Sequence, residues 1–179
     1  MSLFLATLIP GILLIATGAL LLWNAPAVGA TARAFPRSRR AAYVLFGAGA
    51  AWFLWVIAHL TESDFGNYKL ILFAVFGAIA VLSFKHVPDF LAVRGLAVIV
   101  LLGAESFREA AYMHYEYPQR RLMVGLVYAA IFASLFLAGY PYRLRDFFDW
   151  LFARSTRARA VGAICAVYGI VLAIVSFTY

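Results

Sequence analysis

The sequence predicts an all-α integral membrane protein: a polytopic bundle of six transmembrane helices plus one amphipathic helix in the membrane interface. Three observations carry that prediction. The first is composition. Of 179 residues, 65% are hydrophobic and 13% charged, and the mean hydropathy is +0.90; soluble domains carry about 25% charged residues. The second is that apolar runs long enough to cross a bilayer, roughly 20 residues, recur along the chain. The third is that Lys and Arg collect in alternate loops, the signature of the positive-inside rule.

The expected organisation is a single transmembrane domain over residues 1–179. Leu3–Trp23 is the first span. The N-terminus lacks the basic region of a signal peptide, and its apolar run is long enough to span, so this segment reads as a retained helix. Spans two and three are 41–60 and 68–84. The fourth, 90–110, is the exception: its uncharged core, Gly95 to Ala104, is short, and it crosses only if Arg94 and Glu105 reach opposite interfaces. A re-entrant segment is the alternative. Spans five and six are 122–140 and 160–178. The span centres lack charges and proline, apart from Pro10 near the outer end of the first span.

Of the 15 Lys and Arg residues, eleven lie in the first, third and fifth loops and four in the second and fourth. That count places the odd loops in the cytoplasm and both termini outside. The expected location is a cell membrane of the bacterial inner-membrane kind. The segment AVGATARAFPRSRR after the first span is basic without an apolar stripe and reads as a loop. The fifth loop reads differently. Leu144, Phe147, Phe148, Leu151 and Phe152 fall on one helical face, with charged residues opposite and Trp150 suited to the headgroup level. An amphipathic helix over 142–153 is expected, with its apolar face toward lipid; a docking helix for a partner is the alternative.

Each odd span ends near a proline: Pro26, Pro88 and Pro141. Pro26 to Gly47 and Pro141 to Gly162 are both 21 positions apart, and RSRRAAY echoes RSTRARA. Three parallel helical hairpins are one reading; the ordinary placement of proline after a helix end is the other. Small residues four apart, Gly125, Ala129 and Ala133 in the fifth span and Ala158, Gly162 and Ala166 in the sixth, offer faces for close helix contact.

Chemistry is sparse. No P-loop, GxGxxG, GxSxG or HExxH motif occurs, so no motif indicates a cofactor or a catalytic residue. The lone Cys165, inside an apolar run, reads as a small core residue. The basic residues form no stripe on a soluble surface, which argues against nucleic acid as a partner. The one crowded stretch is Leu91–Arg121. There Glu105, Arg108 and Glu109 stand within about a helical turn, followed by His114, Glu116 and a tyrosine-rich run. The second and fourth spans both end outside, so His59, Glu62 and Asp64 could approach this group. The expected arrangement is an ion-paired cluster of Glu62, Asp64, Glu105, Arg108 and Glu109, with Arg108 on one of its neighbouring glutamates. A metal or cation site drawing on His59, Glu105, Glu109 and His114 is the sharper alternative.

The expected function is a non-catalytic accessory or scaffold subunit of a membrane complex. Its partners would be the bilayer and either other membrane subunits or copies of itself. A small transporter or channel using the outer acidic cluster, and a membrane enzyme using the same residues, are the competing readings.

Overall fold

The computed structural model describes residues 1–179. It contains eight α-helices and no strands: α1 (Leu3–Trp23), α2 (Pro26–Ala34), α3 (Arg39–Ala58), α4 (Lys69–His86), α5 (Leu91–Ala111), α6 (Arg120–Gly139), α7 (Tyr142–Phe152) and α8 (Ser155–Ser176). Five are long and apolar enough to cross a membrane: α1, α3, α4 with the turn before it (Gly66–His86), α6 and α8. The expected fourth span, α5, is a continuous helix of 21 residues, about 31 Å at 1.5 Å per residue. Its four charges, Arg94, Glu105, Arg108 and Glu109, keep it out of that set.

Burial explains the difference. Leu91, Ala92, Val93, Ala97, Ala104, Ala110 and Ala111 of α5 are all buried, whereas α4 has no buried residue at all. A helix lined by protein needs no apolar surface on every side, while one lined by lipid does. Hydropathy therefore flags α4 and misses α5.

One expected loop is instead helical. Pro26 opens α2 at the first helical position, where its missing N–H costs nothing. The Ala-rich run that follows has high helix propensity, and Pro36 ends the segment in a short 3-10 turn, Phe35–Arg37. The order long helix, proline, short helix, long helix thus occurs twice, in α1–α2–α3 and α6–α7–α8, but not around Pro88, where α4 leads to α5 through four residues.

The chain divides into two compact units. The first comprises residues 1–33, 103–133 and 145–179. Its frame is α1 against α8, antiparallel and very close. Gly11 faces Gly169 and Gly18 faces Gly162; a Cβ on Gly18 would lie 2.7 Å from the Ala166 nitrogen and the Gly162 carbonyl oxygen. The expected small face of α8 is therefore real, and its partner is α1. Gly125, by contrast, meets nothing within 4 Å of a Cβ, and Ala129 and Ala133 are exposed. Leu3, Ala6, Met123, Val127 and Leu172 fill the core.

Helix α7 also belongs partly to this unit. The sequence predicts an apolar face turned to lipid. Leu151 is only 2% exposed and packs with Leu21 and Ala158, while Phe148 and Phe152 lie against that cluster. Phe147 and Trp150 remain outward, their rings stacked at 6.0 Å. Burying Leu151 against α1 and α8 removes it from either solvent, so this part of the face is a packing surface.

The second unit comprises residues 34–102 and 134–144. Here α3 and α4 are joined by aromatic contacts: Phe84 stacks on Tyr43 at 5.1 Å and meets Phe46 edge-on at 5.3 Å, and Phe53 meets Phe76 at 5.1 Å. The first half of α5 lies against α3, with Gly95 on the backbone of Phe46 and Gly49 beside Val98. Ser38 caps α3, its hydroxyl accepting from the Ala41 amide at 3.2 Å.

Candidate functional site

The residues expected to form the outer cluster are mostly engaged elsewhere. His59, in the second unit, has its Nδ1 2.8 Å from the Trp55 carbonyl, and its ring sits 4.4 Å from the Trp55 ring. In the same unit Glu62 and Asp64 occupy an exposed 3-10 turn, where Asp64 accepts from the Thr61 hydroxyl at 2.8 Å. In the first unit His114 pairs with Glu116 at 3.2 Å, rather than with Glu105 or Glu109. The Glu116 carboxyl is held below its ordinary value, first by a hydrogen bond from its own backbone amide and then by the one from His114.

Glu105, Arg108 and Glu109 are all exposed, and the expected ion pair from Arg108 to either glutamate is not formed. The energetics allow this. An exposed pair at this helical spacing is worth about 0.2–0.5 kcal/mol, less than the rotamer entropy lost in fixing an arginine. In neither unit do three or more His, Cys, Asp or Glu side chains gather into a metal-holding group, and, of the metal candidates, Glu105, Glu109 and His114, which share the first unit, form none there.

The structure gathers other residues instead. A cleft of about 430 Å³ lies between the end of α5 and the start of α6. From α5 it is lined by Arg108, Glu109 and Ala111, from the turn that follows by Tyr112, and from α6 by Arg120, Val124 and Tyr128. Residues four apart share a helix face, so Arg120, Val124 and Tyr128 form one wall, and Arg108, Glu109 and Ala111 with the turn residue Tyr112 the other. The turn between the helices is closed by Met113, whose φ of 66° is left-handed and unusual for a residue with a side chain. Arg120 is anchored. Its Nη1 donates to the Ala111 carbonyl, one of the orphan acceptors at the end of α5, and its guanidinium lies 4.6 Å from the centre of the Tyr115 ring. Beside the turn, Gln119 donates to Thr178 at 3.0 Å, and the Tyr168 hydroxyl donates to the Leu122 carbonyl at 3.0 Å.

A second arginine arrangement holds the end of α7. Arg33 donates to the Phe152 carbonyl at 3.0 Å, with Asp149 3.6 Å away, and Arg157 donates to the Trp150 carbonyl at 3.1 Å while lying 4.9 Å over the Trp150 ring. Cations at a helix C-terminus satisfy its free carbonyls and complement its dipole. Gly29 of α2 makes room, since a Cβ there would lie 3.2 Å from the Phe152 ring.

Sequence reasoning missed Arg120, Tyr128, Arg33 and Arg157 as positioned residues. For the three arginines the only signal is indirect: α5 and α7 end without Gly or Asn at the following position, so their last carbonyls need partners from elsewhere. No family model matches the chain, and neither the curated proteins nor the solved structures gave a match to it.

Proposed function

We propose that the chain is a six-span protein of a cell membrane, with α5 as the fourth span and both termini outside, serving as a non-catalytic accessory or scaffold subunit. The observation that carries this reading is α4. It is apolar along its length, yet none of its 18 residues is buried. Its contacts within the second unit fall on α3 through a few aromatic rings. Beside it runs a groove of about 310 Å³, lined almost wholly by apolar residues including Phe46, Phe53, Phe76, Ile79, Val98 and Leu102. A helix and groove of this kind suit an apolar transmembrane helix of another subunit, packed by shape rather than by charge. The transport and enzyme readings would need the outer histidines and carboxylates assembled, and they lack that support.

The test uses Ile79 and Ala80, both on α4 and both lining that groove. Changing both to Trp keeps α4 compatible with lipid but fills the space a partner helix would occupy. Purified in mild detergent, the unaltered chain should carry a stoichiometric membrane polypeptide. The doubly substituted chain should fold, insert and lose it. Retention of the polypeptide by that variant, or isolation of the unaltered chain alone, would overturn the proposal.

A further inference from the structure

The cleft between α5 and α6 carries chemistry that a scaffold role does not use. Two guanidiniums, Arg108 and Arg120, and two phenols, Tyr112 and Tyr128, line it, against one carboxylate, Glu109. The balance is cationic. Arg120 is already fixed in place by the Ala111 carbonyl and the Tyr115 ring, so little of its freedom is left to lose on binding. A guanidinium has five N–H donors, and the backbone carbonyl occupies only part of that fork. Within its own unit Arg108 has no carboxylate partner in Glu105 or Glu109. The volume, about 430 Å³, falls in the range of roughly 300–1,000 Å³ common for small-molecule sites and far exceeds the needs of a bare ion. Beyond Val124 the same stretch of α6 exposes Tyr128 at 56% and Phe132 at 74%, an apolar track leading away from the charged end.

We propose that this cleft binds a phosphate ester. Arg108 and Arg120 hold the phosphoryl oxygens, because paired guanidiniums match that geometry and stay charged at any physiological pH. The tyrosine hydroxyls supply further donors, and the apolar remainder of the ligand lies along α6. Glu109 disfavours a second negative charge and accepts a hydrogen bond from an amine or hydroxyl beyond the phosphate. That chemistry is shared by a membrane phospholipid and by a soluble phosphate.

The test is native mass spectrometry of the whole chain in detergent, titrated separately with phosphatidylethanolamine, diacylglycerol and inorganic phosphate. Phosphatidylethanolamine should bind, diacylglycerol should bind at least tenfold more weakly, and Arg108→Gln should weaken the phospholipid by about tenfold. Arg108 is exposed, so this variant should melt like the parent. Arg120→Gln should also lose binding but loosen the end of α5, and Arg121→Gln, outside the cleft, should change neither. Inorganic phosphate bound in an Arg108-dependent way would support the anion site while making its ligand soluble. Equal binding of phospholipid and diacylglycerol, or phospholipid binding indifferent to Arg108→Gln, would overturn the inference.

Discussion

Gly18 is the position at which the packing of α1 on α8 can be tested most sharply. A Cβ there would stand 2.7 Å from two backbone atoms of α8, the Ala166 nitrogen and the Gly162 oxygen, and 2.9 Å from the Ala166 Cβ, where ordinary contact begins at 3.4 Å. Backbone cannot rotate aside as a side chain can, so Gly18→Ala must push the helices apart. Overpacking of this kind costs about 1–3 kcal/mol. Replacing Gly by Ala inside a helix returns about 0.5–1 kcal/mol through backbone entropy and propensity. The net effect at Gly18 should be a loss of up to about 2 kcal/mol. Gly125 sits inside α6 with nothing within 4 Å of its Cβ. There only the second contribution applies, and Gly125→Ala should stabilise by about 0.5–1 kcal/mol. Reversible unfolding in mixed micelles, followed by tryptophan fluorescence, would measure both. If Gly18→Ala proved as stabilising as Gly125→Ala, the close approach of α1 and α8 would be refuted.

Leu151→Ala should cost about 2–5 kcal/mol, because Leu151 is buried against Leu21 and Ala158; the exposed Phe147→Ala should cost far less, and equal losses in thermal melts would contradict the docked face of α7. Removing the cation at the end of that helix with Arg157→Gln should lower the melting temperature more than Asp149→Ser, whose contact with Arg33 is an exposed pair of about 0–1 kcal/mol. The Glu116 carboxyl should titrate below its ordinary 4.5, so its stabilisation is present above that pH and fades as pH falls through the folded value. His114→Ala should move the titration, read by NMR, part of the way back, since the backbone amide contributes more than His114; an unmoved midpoint would remove His114 as a cause.

The long helices were legible in sequence because an apolar run of roughly 20 residues marks any helix able to cross a bilayer. Leu3–Trp23 was expected with the boundaries it has, and α7 with its end one residue off. The α2 helix was missed for the opposite reason: a short surface helix of Ala, Gly and Thr has no apolar stripe to find. The site was less readable than the fold. Glu105, Arg108 and Glu109 drew attention as a charged turn, yet spacing along one helix says nothing about what faces it. The cleft exists because Arg120, nine residues past the end of α5, folds back onto Ala111, and no local pattern encodes that return. His59 looked like a site residue from its position at a span end. A neighbouring Trp55 carbonyl and ring were enough to engage it.

The central claim is that α5 crosses the membrane despite its charges. In a chain carrying Cys165→Ala, single cysteines would be placed at Asp89, just before α5, and at Tyr115, just after it, both exposed. A membrane-impermeant maleimide applied to intact cells should label Tyr115→Cys and should reach Asp89→Cys only after permeabilisation. Labelling of both from the same side would mean that α5 enters and leaves by one face, and the six-span account would fail.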